Sequence, residues 1–159
     1  MIRVDVINDQ ITAAFVQAAR KLDDLTPLMQ EIGEYLLESS KENFRTGSAP
    51  DGTPWAPRSP VTLAAYEARG ERPKGGPLVG VSRALSTTIT YEAGPDSVEW
   101  GSNMIYAAVM QFGAAQGAFG ATARGSPIPW GTIPARPFLG IGADDEAEIT
   151  DLIAEHLAL

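Results

Sequence analysis

Few residues in this chain can carry covalent or acid–base chemistry. It has no cysteine and one histidine, His156. The first fact removes disulfides, thiolate catalysis and Cys-ligated metals, and the second prevents one chain from building a multi-histidine metal site. A Ser-His-Asp triad would have to draw on His156, which sits in a helical tail, where surface or packing roles are commoner than catalytic ones. The adjacent acids Asp23-Asp24 and Asp144-Asp145 are the kind of pair whose pKa values separate when they share a site. At helix ends such pairs act far more often as caps and solvated charges. Asp51 and Glu99 would be the first acids to test for a carboxylate hydrolase, the least supported reading. Lys74-Gly75-Gly76 lacks the preceding strand and following helix of a phosphate loop, and no G-x-S-x-G elbow is present. The expectation is a protein without catalytic residues, cofactor or bound metal.

Aromatic residues framed by turn formers are more informative. They occur as Gly52-Thr53-Pro54-Trp55, as Tyr106-Ala107 leading to Gln111-Phe112-Gly113, and as Ile133-Pro134-Ala135-Arg136-Pro137-Phe138-Leu139-Gly140. In the last, Pro134 and Pro137 hold the backbone extended, Arg136 is pinned between them, and Phe138-Leu139 supply an apolar plug. Bare chemistry leaves two readings open. One is a rigid docking segment with the Arg136 fork available; the other is a core-closing turn in which Arg136 pairs with an internal carboxylate.

The elements that must position these groups follow from periodicity. Ile2, Val4 and Val6 alternate with Arg3 and Asp5, which predicts a short strand over 1–6. Ile7, Ile11, Phe15, Ala18 and Leu22 recur at helical spacing. Thr26-Pro27 predicts an N-cap and first turn for a second helix running to about Phe44, with Leu28, Ile32 and Leu36 on its apolar stripe. Ser59-Pro60 repeats that capping chemistry before a short helix stopped by Gly70. Residues 86–92 and 97–101 flank Gly94-Pro95-Asp96 as a hairpin, and Met104–Phe112 reads as a short helix. Gly113–Pro137 is rich in Gly, Ala and Pro, with Phe119, Ile128 and Trp130 spaced through it, and suits extended arms or strands. Asp144 would cap a last helix bearing Ile149, Leu152, Ile153 and Leu157. The fold class is therefore α+β: a small, mainly antiparallel sheet from 1–6, 86–92, 97–101 and parts of 115–133, packed by several helices. Residues 1–159 make one domain, with 46–58, 70–80 and 113–137 as mobile loops or arms.

The chain is 44% hydrophobic and 20% charged, and no run of apolar residues reaches the ~20 that a membrane span needs. The first ten residues lack a signal-peptide core, which predicts retention in the cytoplasm where the chain is made. Net charge is -8, and residues 141–159 hold 6 acids and no Lys or Arg. Such a balance is poorly suited to gripping nucleic acid.

Five blocks in order resemble the phage virion morphogenesis family, which includes the Mu-like G protein and the tail-completion and neck proteins of tailed phages. They are Pro50–Pro57, Ser82–Ile89, Val98–Ser102, Tyr106–Gly113 and Ile133–Gly140, and together the resemblance covers roughly residues 1–155. Two departures stand out. Met110 precedes Gln111-Phe112-Gly113 where the family often has His, which points to altered packing. Arg83 follows Ser82 where the family often has Gly, a residue with a more permissive backbone.

The resemblance implies a non-enzymatic structural protein of the virion at the joint between DNA-filled head and tail. Its members assemble as rings, usually six-fold, between connector or head-closure proteins and the tail tube or tail terminator, and DNA passes through without specific binding. An acidic lumen lined by part of 144–155 would suit that passage. Candidate interface residues are Trp55, Gln111, Phe112, Trp130, Arg136, Phe138 and Leu139. The other reading is an assembly chaperone or binding module used during morphogenesis and absent from the finished particle.

Overall fold

A computed structural model describes residues 9–19 and 24–157. Among them are six helices and one hairpin: α1 Asp9–Ala19, α2 Thr26–Thr46, α3 Pro60–Ala68, α4 Ala84–Thr87, β1 Ile89–Ala93, β2 Val98–Ser102, α5 Ala107–Phe112 and α6 Ala143–His156. The α+β class stands, with a smaller sheet than the sequence suggests. β1 and β2 pair antiparallel, Tyr91 opposite Trp100, and form a two-stranded sheet. The strand expected at 1–6 lies outside the described residues. The arm at 114–133 does not join the sheet; it folds back on itself through isolated bridges Ala114–Ile133 and Ala121–Pro127. Pro127 and Pro129 lack an N–H, and Gly117, Gly120 and Gly125 turn the backbone through positive φ, so no continuous ladder can form there.

α2 is the axis of the fold: the hairpin and α6 pack on it, and α1 packs on α6. Leu28, Met29, Ile32, Leu36 and Phe44 are buried along its apolar stripe. The expected Thr26 cap is displaced by one position. Leu25 occupies the N-cap, and Asp24 Oδ1 accepts from Thr26 N–H at 2.9 Å and from its hydroxyl at 2.6 Å. The helix runs two residues past Phe44 and stops at Gly47, whose left-handed φ of 73° lets its N–H reach Asn43 O. Gly33 allows the hairpin to approach: a Cβ there would overlap the Tyr91 ring. Leu25 N–H also donates to Pro95 O at 3.1 Å, tying the hairpin turn to the start of α2.

α6 is fixed by a buried carboxylate. Asp145 Oδ1 accepts from Tyr35 OH at 3.0 Å and Ser39 Oγ at 2.6 Å, both on α2, while Oδ2 accepts Gly142 N–H at 2.7 Å. Asp145 therefore does the capping expected of Asp144, which is exposed. Ile149 and Ile153 complete the buried face. α5 begins at Ala107, three residues later than the spacing suggested. Arg83, where glycine would be unstrained, takes the left-handed φ of 55° at the start of α4.

Candidate docking surface

The segment that ends the arm is built into the core. Phe138 is fully buried and Leu139 nearly so. Phe138 meets Phe44 at 5.2 Å between ring centroids, and Phe44 meets Trp55 edge-on at 5.5 Å. Trp55 Nε1 donates to Pro137 O at 2.8 Å. Gln111, at the end of α5, completes the junction. Its Nε2 donates to Leu139 O at 2.8 Å, and its Oε1 accepts the N–H groups of Phe138 and Leu139 at 2.9 and 3.1 Å. Asn43 Nδ2 donates to Phe138 O.

Arg136 is buried as well, and of the two readings left open by the sequence the core-closing one holds, with different chemistry. Its Nε donates to Ala56 O at 2.7 Å and its Nη2 to Pro57 O at 2.8 Å, so backbone carbonyls stand where a carboxylate was expected. Burial, and then the nearby Arg58 charge, pull the guanidinium below its usual pKa. Arg58 is latched in the same way, through Nη2 to the carbonyls of Gly76 and Val79.

Of the seven candidate interface residues, then, Trp55, Gln111, Arg136, Phe138 and Leu139 fill the chain's own interior. Phe112 and Trp130 remain 64% and 66% exposed. Others outside the candidate set join them: Val61 and Leu63 on α3, Val81 and Ile105 in connecting turns, and Phe119 and Ile128 on the arm. Phe119 N–H donates to Ile128 O across the arm. α3 buries none of its residues. A signal was there to read, since Val61 and Leu63 lie on opposite sides of a helix and cannot belong to one inward stripe.

A cavity of about 680 Å³ lies between α3, α5 and the arm. α3 contributes Val61 and Tyr66, α5 contributes Met110, and the arm contributes Trp130, with Arg58 and Arg136 in the wall. Val81 lies between the lining residues Gly80 and Ser82, and Ile105 directly precedes the lining residue Tyr106. No aspartate or glutamate lines the cavity; Asp51 and Glu99 are both exposed elsewhere. Among the described residues no cluster of three or more His, Asp or Glu side chains could hold a metal ion, and no helix is long and apolar enough to cross a membrane. Chemically the surface can bind by fit, apolar contact and two cations.

Comparison with known proteins gives this surface a setting. The model of the phage virion morphogenesis family matches residues 6–158. The chain is 31% identical over 160 residues to the Mu-like prophage FluMu G protein 2 of Haemophilus influenzae, covering 100% of this chain and 98% of that one. It is 33% identical over 124 residues to the putative capsid assembly protein G of Escherichia phage Mu, covering 77% of this chain and 73% of that one. It is 30% identical over 130 residues to tail completion protein S of Escherichia phage P2, covering 82% of each. No solved structure matches the chain.

Proposed function

Because the chain belongs to the phage virion morphogenesis family, whose members serve the structure or assembly of the phage particle, we propose that it is a structural protein of a tailed phage or prophage virion that closes a ring at the head–tail joint. The observation that carries this reading is the exposed apolar face, where Trp130 and Val61 stand open to solvent in the lining of an apolar cavity. Contiguous apolar surface of this kind marks an interaction site. The name of the phage P2 relative, a tail completion protein, directs that interaction toward the tail.

In this role the protein acts by shape and not by catalysis. Six copies meet through heterologous contacts that close. Connector or head-closure proteins bind one side of the ring, and the tail tube or tail terminator binds the other. DNA passes through the opening without specific binding, since a net charge of -8 repels phosphate. Made in the host cytoplasm, the protein ends in the neck or tail of the virion.

Electron microscopy of lysates from the encoding phage with this gene disrupted tests the role. Filled heads and free tails lying apart are expected; normal infectious particles would overturn it. The name of the phage Mu relative, a putative capsid assembly protein, favours a second reading, an assembly factor that leaves before the particle is finished. Mass spectrometry of purified virions separates the two: the structural role requires the protein to be present.

A further inference from the structure

Charge is divided between two faces of the chain. Between Glu99 and Asp144 there is no acidic residue, while Arg124 and Arg136 lie in that stretch. Arg124 is exposed in the turn at the tip of the arm, where Thr122 N–H donates to Ser126 O at 2.8 Å. Arg83 is exposed beside the cavity residues Ser82 and Ala84. In the cavity wall the hydrogen bonds of Arg58 and Arg136 go only to backbone carbonyls, and Arg136 Nη1 makes none among the described residues. No carboxylate lines this cavity.

The opposite chemistry lies on α6. Asp144, Glu148, Asp151 and Glu155 recur at four, three and four residues, so they share one stripe, and all four are exposed. None is paired with a Lys or Arg among the described residues.

We infer that the acidic stripe of α6 in one copy docks on the arm-and-cavity face of a second copy, with Arg124 and Arg83 meeting its carboxylates and Trp130 and Val61 covered by the contact. This deepens the ring reading above and rests on it. The two faces differ, so the contact is heterologous and each copy keeps one of each free for the next neighbour. It also puts the α6 stripe between subunits and not on the lumen. Charge complementarity at the rim steers the encounter, and the apolar residues hold it.

A charge swap tests the inference on the full chain. One variant carries Arg83→Glu and Arg124→Glu; the other carries Glu148→Lys and Asp151→Lys. All four side chains are exposed, and melting curves verify that folding is unchanged. If one of the double variants melts early, the single pair Arg124→Glu and Glu148→Lys repeats the test. Sedimentation velocity at low salt is expected to show self-association of the wild type. Each variant alone should self-associate about tenfold more weakly or less. An equimolar mixture should recover assembly, because each variant's altered face then meets an opposite charge.

A wild type that stays monomeric at all concentrations would overturn the inference. So would variants that assemble as the wild type does, or a mixture that fails to recover. None of these outcomes decides the role at the head–tail joint, which is read from particles of the gene-disrupted phage.

Discussion

Gln111 and Leu139 pair as two strand residues would, although Gln111 contributes only its side chain. The amide gives one hydrogen bond to Leu139 O at 2.8 Å and takes one from Leu139 N–H at 3.1 Å. The same Oε1 takes the N–H of Phe138 at 2.9 Å. An α-helix and an extended segment are thereby joined in the interior, where the amide satisfies backbone groups that would otherwise lack a partner.

Gln111→Leu keeps the volume and removes all of these bonds. Two buried N–H groups and a carbonyl lose their partner, and stability should fall by about 3 kcal/mol. The urea midpoint, with an unchanged slope, measures it. A midpoint within error of the wild type would mean that water reaches these groups.

Phe138→Ala should lower folding stability by about 3–5 kcal/mol, the usual cost of emptying a packed aromatic site. The residue has no exposed surface, so any loss of assembly follows from the loss of folding. Tryptophan fluorescence during melting reads the change, because Trp55 is linked to Phe138 through Phe44. A wild-type melting curve with impaired assembly would instead place the ring between subunits.

Stability should decline in alkali, in part through Tyr35. Burial first, and then the hydrogen bond to Asp145, push its phenol above the usual 10.0. The folded chain thus holds this proton more tightly than the unfolded chain. The contribution is whole below the unfolded value and is lost as pH rises through it toward the folded one. Urea midpoints measured from about pH 9 to about pH 11 should fall more steeply for the wild type than for Tyr35→Phe. Parallel curves would show that Tyr35 does not contribute.

Arg58→Ala should expose the chain after Lys74 to trypsin. Arg58 bonds to the carbonyls of Gly76 and Val79, holding down a stretch with few apolar anchors. We expect cleavage at Lys74 to quicken by about tenfold while global stability changes little. Equal cleavage rates in the two proteins would mean that the latch does not restrain the segment.

How far the sequence reaches depends on whether a signal is local. The Ser59 cap is such a signal: its hydroxyl accepts Thr62 N–H at 3.1 Å, as its place before Pro60 predicts. The α2 stripe and the hairpin around Gly94-Pro95-Asp96 were equally legible, with edges shifted by one to three residues. Long-range partners were not. Nothing near Arg136 distinguishes a carboxylate from the carbonyls of Ala56 and Pro57, 80 and 79 residues away. Phe138 reads as a plug from its neighbours, but only the fold shows that it fills its own chain. The sheet strands expected within 115–133 failed on a similar point, because the arm's β-forming residues are interrupted by prolines and glycines that allow only local pairing. Trp130 was found by its type, whereas Val61 and Leu63 could have been found only by their spacing, which puts them on opposite sides of a helix that buries nothing.

The roots of the arm are clamped at both sides. Ala114 and Ile133 exchange bonds of 2.9 and 2.8 Å, and Arg136 N–H reaches Met110 O at 2.8 Å. Only glycine fits at position 113, which has a φ of 73°, because a Cβ there would press on Ala135 N and Ile133 O. The arm is therefore aimed before it meets anything, and much of the ordering that a loose tether would undergo on association is completed during folding. A side chain at position 113 would push against that base, so in the assembly proposed above the angle between neighbouring subunits would be set there.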